Sequence, residues 1–252
     1  MQKEVHPQAK IAKDVKIESG CLIENDVTIG SGTTIARGAI IRTGVEIGER
    51  NEIHPYAVIG DAPQDKSIKK ERGKIIIGNS NIIREFTTIH LPAGEGTETR
   101  IGNDNYLMAY SHVAHNCKIG NGVLLVNGAT LGGHVEIEDF AYISAFVPIH
   151  QWVKIGAYSL IGGGLRITKD LVPFALAAGS PLRIISPNFR GLRRNGFESK
   201  RIEDIKEAFR ILFRSRLNTK QAVEKLKEDF EGNKDIEHII KFINDSGRGI
   251  IK

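Results

Sequence analysis

Four of the eight histidines in this 252-residue chain fall into phase when residue number is reduced modulo 18. His112 leaves a remainder of 4, His150 of 6, His115 of 7 and His134 of 8, and Gly133 and Gln151 also leave 7. If 18 residues make one turn of a regular coil, His115, Gly133 and Gln151 stack on successive turns, with the other imidazoles beside them. Three readings compete for such an edge. The histidines could decorate a solvated corner. They could ligate zinc, as at the subunit interfaces of some hexapeptide-repeat carbonic anhydrases, since imidazole is a common zinc ligand. They could do acid–base chemistry, with His115 taking a proton from a hydroxyl while a glycine N–H one turn away meets the developing oxyanion. The third arrangement fits acyl transfer to an alcohol. No carboxylate or cysteine completes a zinc ligand set, and Cys117, two residues before Ile119, is expected to point into the core. Asp65 and His90 leave remainders of 11 and 0, which assigns them to the other two edges. One subunit is then not expected to bring them to His115, whereas a symmetric trimer facing different edges together would.

The 18-residue turn rests on a shorter period. Stepping by six from Val5 to Ile167 visits 28 positions, of which 25 hold Ile, Leu or Val; the exceptions are Asp65, Glu71 and Glu95. A helix repeats near 3.6 residues and a strand at 2, so a period of six describes a chain that runs a short strand, turns and repeats. A smaller residue, such as Cys21, Val27 or Ala39, sits two places before each aliphatic, on the same strand side. Glycine often follows the aliphatic, as at Gly30, Gly48 and Gly78, and is read as relief of corner geometry. Three sides close a triangular coil, and residues 5–167 then give about nine coils, a prism on the order of 43 Å long.

Two polar stretches, 61–76 and 91–99, interrupt the hexads and read as excursions from the scaffold, where function often sits. The period ends near Pro173, and 174–187 reads as an extended connector. Beyond Asn188, helical spacing takes over. One helix is expected from an N-cap at Ser199, a second after Thr219 and a third after Asp235, ending by Gly247. The domain expectation is therefore 1–187 for the β-helix with its connector and 188–252 for a C-terminal α-helical domain.

Composition narrows the class. The longest apolar runs, such as Val123–Val126, are too short to span a membrane, and the start has no apolar core of a signal peptide. Cys21 and Cys117 give no disulfide framework, which fits a cytoplasmic protein. The net charge of +5 lies wholly in residues 188–252, with 16 basic against 11 acidic side chains, while 1–187 balance at 19 each. That suggests an anionic partner near the tail. Nucleic acid is disfavoured, because bases and acids interleave and no aromatic stacking platform appears.

Specific motifs go further. The hexads, PQD at Pro63–Asp65, IREFTTIH at Ile83–His90, SHVAHNC at Ser111–Cys117, LGGHVEI at Leu131–Ile137, IHQWVKIG at Ile149–Gly156 and GLRRNGF at Gly191–Phe197 occur together. In these the chain resembles the UDP-N-acetylglucosamine acyltransferases that open lipid A synthesis. The resemblance spans nearly the whole chain and implies a left-handed winding and a homotrimer with sites between subunits. It implies transfer of a (3R)-3-hydroxyacyl group from acyl carrier protein to the sugar 3-position, with no metal or organic cofactor. Matched to its motifs, His115 is the general base and Gly133 the oxyanion donor. Gln64, Asp65, His112 and His134 would contact sugar or acyl groups. His90, His150, Gln151 and Arg194 would serve the nucleotide or the site wall, and Gly163 would gauge acyl length, its lack of a side chain suggesting a longer chain. The basic tail would suit an acidic carrier protein and a diphosphate.

The sequence departs from the family at Asn116, where an acidic residue is common, at Lys66-Ser67-Ile68, where LKY is common, and at Asn195, where an arginine is common. Some relatives with a varied loop after PQD acylate a 3-amino sugar, so N-acylation of that analogue is the alternative. A related N-acyltransferase of the same pathway carries an N-terminal uridine-binding domain, for which hexads beginning by Val5 leave no expected place. Small acetyl-CoA-dependent hexapeptide enzymes lack the tail. A zinc carbonic anhydrase would hold stoichiometric metal, and a non-catalytic β-helix scaffold would have no need of a histidine-lined edge.

Overall fold

The structure is a computed structural model that describes residues 4–67 and 73–252. Three parallel sheets form the walls of a triangular, left-handed coil. The first face runs through Val5, Ile23, Ile41, Ile59, Ile89, Val113, Leu131 and Ile149. The second runs from Ile11 to Ile155, and the third from Ile17 to Ile161. Most walls are strands of only two residues, such as Lys118–Ile119. The aliphatic points inward and its neighbour outward, because successive side chains of a strand alternate. From Ile23 upward these aliphatics are essentially inaccessible and form one continuous core.

Both excursions leave the corner between the first and second faces. Ile59 and Ile77 occupy successive faces yet lie 18 residues apart instead of six, and Ile89 and Ile101 lie 12 apart. The insertions are multiples of six, so the hexad phase survives them, while the 18-residue phase is shifted between them and restored beyond the second, since together they add 18 residues. The repeat therefore makes eight rungs on each face, not nine. The same shift overturns the assignment of His90 and Asp65 to other edges. Ile68 and Glu71 lie outside the described residues.

The corner glycines have a different cause from the one expected. A Cβ on Gly30 would sit 2.7 Å from the Gly48 backbone of the next coil, so close stacking excludes a side chain there. The left-handed backbone lies two residues further on, and there Asp26, Arg50 and Tyr56 adopt it at φ near +50 to +60°. Inside the corner between the second and third faces, buried Asn51, Asn81 and Asn105 form a ladder. Each accepts from the backbone of the coil above, with Asn81 N donating to Asn51 Oδ1 at 2.9 Å and Asn105 N to Asn81 Oδ1 at 3.0 Å.

Beyond Pro173 the expected connector is an antiparallel hairpin, Ala175–Ala178 and Arg183–Pro187, that extends the third sheet. A short helix α1 (Phe189–Arg194) follows, capped by Asn188, whose side chain accepts from Gly191 N. Helix α2 (Ser199–Arg214) has Glu198 at its N-cap, so Ser199 is the first helical residue rather than the cap. Helix α3 (Thr219–Asp229) opens on an Asn218–Gln221 capping box, and α4 (Lys234–Asn244) on Asn233. The tail is latched to the prism through Asp170, which is fully buried. Its carboxylate accepts from Lys154 N at 2.8 Å and Ser246 Oγ at 2.6 Å, and its backbone pairs with Gly249 and Ile251. No helix among the described residues is long and apolar enough to cross a membrane.

Candidate active site

Three successive coils put His115, Gly133 and Gln151 one above another at the corner between the first and second faces. His134 N donates to His115 O, and Trp152 N to Gly133 O, across that stack. Asn116, His134 and Trp152 each take the left-handed position of the corner, at φ 60°, 60° and 65°. The Trp152 ring lies flat on His134, with centroids 3.7 Å apart, and the His134 ring meets His115 edge-on at 5.2 Å. Trp152 is a site residue that the histidine pattern passes over, although 116, 134 and 152 share one remainder modulo 18.

Gly133 is matched to His115 by space. A Cβ there would collide with His115 Nε2. Its N–H is also free. At the same hexad position some corner N–H groups take acceptors from the adjacent coil, Arg37 N from Glu18 and Thr43 N from Glu24. Gly133 is buried, and among the described residues nothing accepts from its N–H. A buried donor left unpaired beside an imidazole is the place to expect a ligand oxygen.

The remaining histidines close in from the first face. His90 and His112 meet edge-on at 4.9 Å, on rungs paired through Ile89 and Val113. His112 Nδ1 shares a 2.7 Å hydrogen bond with Thr88 Oγ1. His90 is buried, and its Nδ1 has no hydrogen-bond partner among the described residues. Asp65, on the first excursion, accepts from Ser67 N and Oγ at 2.8 and 2.7 Å and lies within electrostatic reach of His115. One subunit therefore does bring His90 and Asp65 towards His115, contrary to the expectation from the 18-residue count. Gln64 is exposed on the same excursion, and His150 and Gln151 are exposed above Gly133.

Burial sets the charge of the cluster. It pulls His112 down to about 4, with a smaller push from His90. Burial likewise lowers His134, aided by His115, and lowers His90 against the pull of Asp61. The Ser67 hydrogen bonds, ahead of the His115 charge, hold Asp65 below the usual carboxylate range. The corner thus favours neutral imidazoles, the form that accepts a proton. Among the described residues no group of three or more His, Cys, Asp or Glu is placed to hold a metal ion. Cys117 points inward as expected, with Sγ donating to Gly132 O.

The second excursion is tied to His115. Asn116 Oδ1 sits 2.9 Å from His115 Nδ1 and accepts from Ala93 N at 2.8 Å, while Asn116 Nδ2 donates to Ala93 O at 3.2 Å. Thr99, fully buried, accepts from Asn116 N and donates to His90 O. The hexads mark Thr99 only as the small residue two places before Ile101, and they carry no signal for Ala93, which lies in the excursion.

Two expected residues stand apart. Arg194 is exposed on α1 and lines a cleft of about 330 Å³ with Leu124, Tyr142 and Leu160 of the third face, opposite the histidine edge. Gly163 lies on the last coil at the corner between the third and first faces, where a Cβ would meet only Ala145 O closely, at 3.3 Å.

Comparisons with known proteins agree with one another. Residues 170–251 match the family model described as UDP-N-acetylglucosamine O-acyltransferase, domain 2, and residues 26–61 and 98–133 match the bacterial transferase hexapeptide repeats. An acyl-[acyl-carrier-protein]–UDP-N-acetylglucosamine O-acyltransferase from Burkholderia orbicola is 42% identical over 211 residues, covering 82% of this chain and 80% of the relative. One of the same name from Gloeothece citriformis is 43% identical over 80% of this chain and 72% of the relative. The crystal structure of the Bacteroides fragilis UDP-N-acetylglucosamine acyltransferase superposes with a TM-score of 0.97 at 41% identity, covering 99% of this chain and 98% of that one. The Campylobacter jejuni enzyme gives 0.87 at 37%, covering 98% and 99%.

Proposed function

The chain belongs to the UDP-N-acetylglucosamine O-acyltransferase family, and from that premise we propose that it moves a (3R)-3-hydroxyacyl group from acyl carrier protein to the 3-hydroxyl of UDP-N-acetylglucosamine, the first step of lipid A biosynthesis. The observation that carries the reading is Gly133, packed so close to His115 Nε2 that no Cβ fits, with no acceptor for its N–H among the described residues. His115 Nε2 removes the 3-hydroxyl proton as that oxygen attacks the thioester carbonyl. The carbonyl oxygen, now negative, takes the Gly133 N–H. Collapse expels the carrier thiolate, and the imidazolium returns the proton to sulfur. The thioester is already activated, so no cofactor enters the step.

His112, His134, Asp65 and Gln64 frame the sugar and acyl portions, while His90, His150, Gln151 and Arg194 serve the nucleotide side. The room left at Gly163 suits a longer acyl chain.

A homotrimer is supported by the chemistry of the three faces. Outward residues of the second face are charged, such as Lys118, Glu136 and Lys154. Those of the first include Leu22, Ile40 and Val58, and those of the third include Ile82, Leu124 and Leu160. First face against third is a heterologous contact, which closes into a ring when the rotation fits. A triangular prism suits a threefold ring, and it sets Arg194 of one copy beside the histidine edge of the next.

The test is direct. Purified protein is offered (3R)-3-hydroxyacyl carrier proteins of several lengths with UDP-N-acetylglucosamine or its 3-amino analogue, and products are identified by mass. An O-acyl ester is expected. Faster amide formation on the analogue would move the acceptor to nitrogen, and no turnover with any acyl donor would leave a binding scaffold.

A further inference from the structure

We propose that Tyr56, Phe86, Tyr110 and Phe146 form an aromatic seam along the axis of the homotrimer, packed against the same seam of the two neighbouring copies. This rests on the trimer reading above and adds to it the side chains that close the axis. All four sit at the corner between the third and first faces, on the left-handed residue of the turn, at φ of 61°, 58°, 63° and 55°. Tyr56, Phe86 and Tyr110 belong to successive coils, with Phe86 N donating to Pro55 O and Tyr110 N to Glu85 O. Their rings stack at centroid distances of 5.4 and 5.1 Å, within 12° of parallel. Gly128 takes the next coil, and the Phe146 ring of the coil above fills its place, 2.8 Å from where a Cβ on Gly128 would fall. The seam thus runs over five coils, about 19 Å at the usual strand spacing. In one chain its rings stand open, 50%, 45%, 65% and 71% exposed.

The backbone gives no reason for aromatic rings here. A left-handed φ disfavours bulky residues and suits Gly or Asn. The corner between the second and third faces needs the same φ on the coils of Tyr56, Phe86 and Tyr110, and there it carries Arg50, Ser80 and Asp104. Higher on that corner the molecule shows what stacked rings can do. Phe140, Tyr158 and Phe174 stack at 4.9 and 6.0 Å, and the helical tail docks on them, with Phe197 edge-on to Tyr158 and Phe174 and the His238 ring edge-on to Phe174. The corner between the third and first faces carries the same device, left uncovered by its own chain. Geometry selects a second copy as the cover. The faces beside the seam are the two with apolar exteriors, with Val58 on the first and Ile82 on the third. A ring in which each first face meets the next copy's third face turns the corner between those faces inward, so three seams meet on the axis. Arg84 and Glu85, beside Phe86, are already paired with each other at 3.0 and 2.8 Å, so burying the corner isolates neither charge.

The test combines Phe86→Asn with Tyr110→Asn, which removes two rings and leaves residues that accept this backbone. Arg50→Asn, at the equivalent turn of the other corner, is the control. Sedimentation equilibrium over a concentration series reads the assembly, and circular dichroism confirms that each chain is folded. The parent and Arg50→Asn are expected to be trimers that dissociate at one common midpoint. The double variant should dissociate at a protein concentration at least about 10²-fold higher, the loss expected for withdrawing two large apolar contacts per copy. Nitration of the parent reads the same surface with no substitution. Tyr56 and Tyr110, mapped by mass, should react much more slowly than N-acetyltyrosinamide. A double variant with the parent's midpoint, or parent tyrosines nitrated at the free rate, overturns the proposal. A parent that sediments as a monomer overturns instead the trimer reading on which it rests.

Discussion

The roles proposed for His115 and Gly133 can be tested separately. His115→Ala should cost at least about 10²-fold in turnover, the low end of general-base catalysis, with the fold intact. Gly133→Ala should cost a similar factor, because its Cβ would displace the imidazole. Steady-state rates with a 3-hydroxyacyl carrier protein check both. His112 gives a stability prediction with a definite sign. Its value falls from the ordinary 6.5 to about 4 on folding. Between those pH values the unfolded chain binds more protons than the folded one, so stability is full above pH 6.5 and is lost as pH falls towards 4. His112→Gln should flatten that part of the thermal midpoint against pH. At this scale the histidines were legible in the sequence, because their spacing repeats. The approach of Ala93 to Asn116 was not, because Ala93 lies inside an excursion.

The coil is held by its corners as well as its core. Asn81 donates N and Nδ2 to Asn51 Oδ1, donates Nδ2 to Gly102 O, and accepts from Asn105 N. Asn81→Ala would strand the buried Asn105 N and the part-buried Gly102 O and should cost about 2–4 kcal/mol. Asn79→Ala, on the partly exposed side of the same corner, should cost less, and the two thermal midpoints decide. The walls and helices α2 to α4 were readable from period alone. The hairpin at 175–187 was not, since its Ala and Pro residues carry no alternation and its pairing comes from docking on the third sheet. Helix α1 was not legible either. It is six residues long and depends on its Asn188 cap and on packing against the prism.

Taken whole, the molecule presents a charged face, two faces with apolar patches, and an arginine on the side opposite its own base. If neighbouring copies share each site, His115→Ala and Arg194→Ala subunits should complement one another. Each homotrimer would be impaired, while randomly mixed trimers would hold about a quarter of the sites with both groups intact. Activity that stays at the mean of the two homotrimers on co-expression would mean that each chain uses its own Arg194.

The sequence by itself determined the triangular coil, the sidedness of its core and the stacking of His115, Gly133 and Gln151, because each follows from a period that local residues carry. Tertiary structure alone decided that His90 and Asp65 share the edge of His115. Insertions of twelve and six residues leave the hexad phase untouched; they shift the face of the segment between them, and because they sum to eighteen the coils on either side keep one 18-residue phase. It also decided the reason for the glycines, which depends on main chain arriving from another coil, and no short-range pattern of residues encodes that approach.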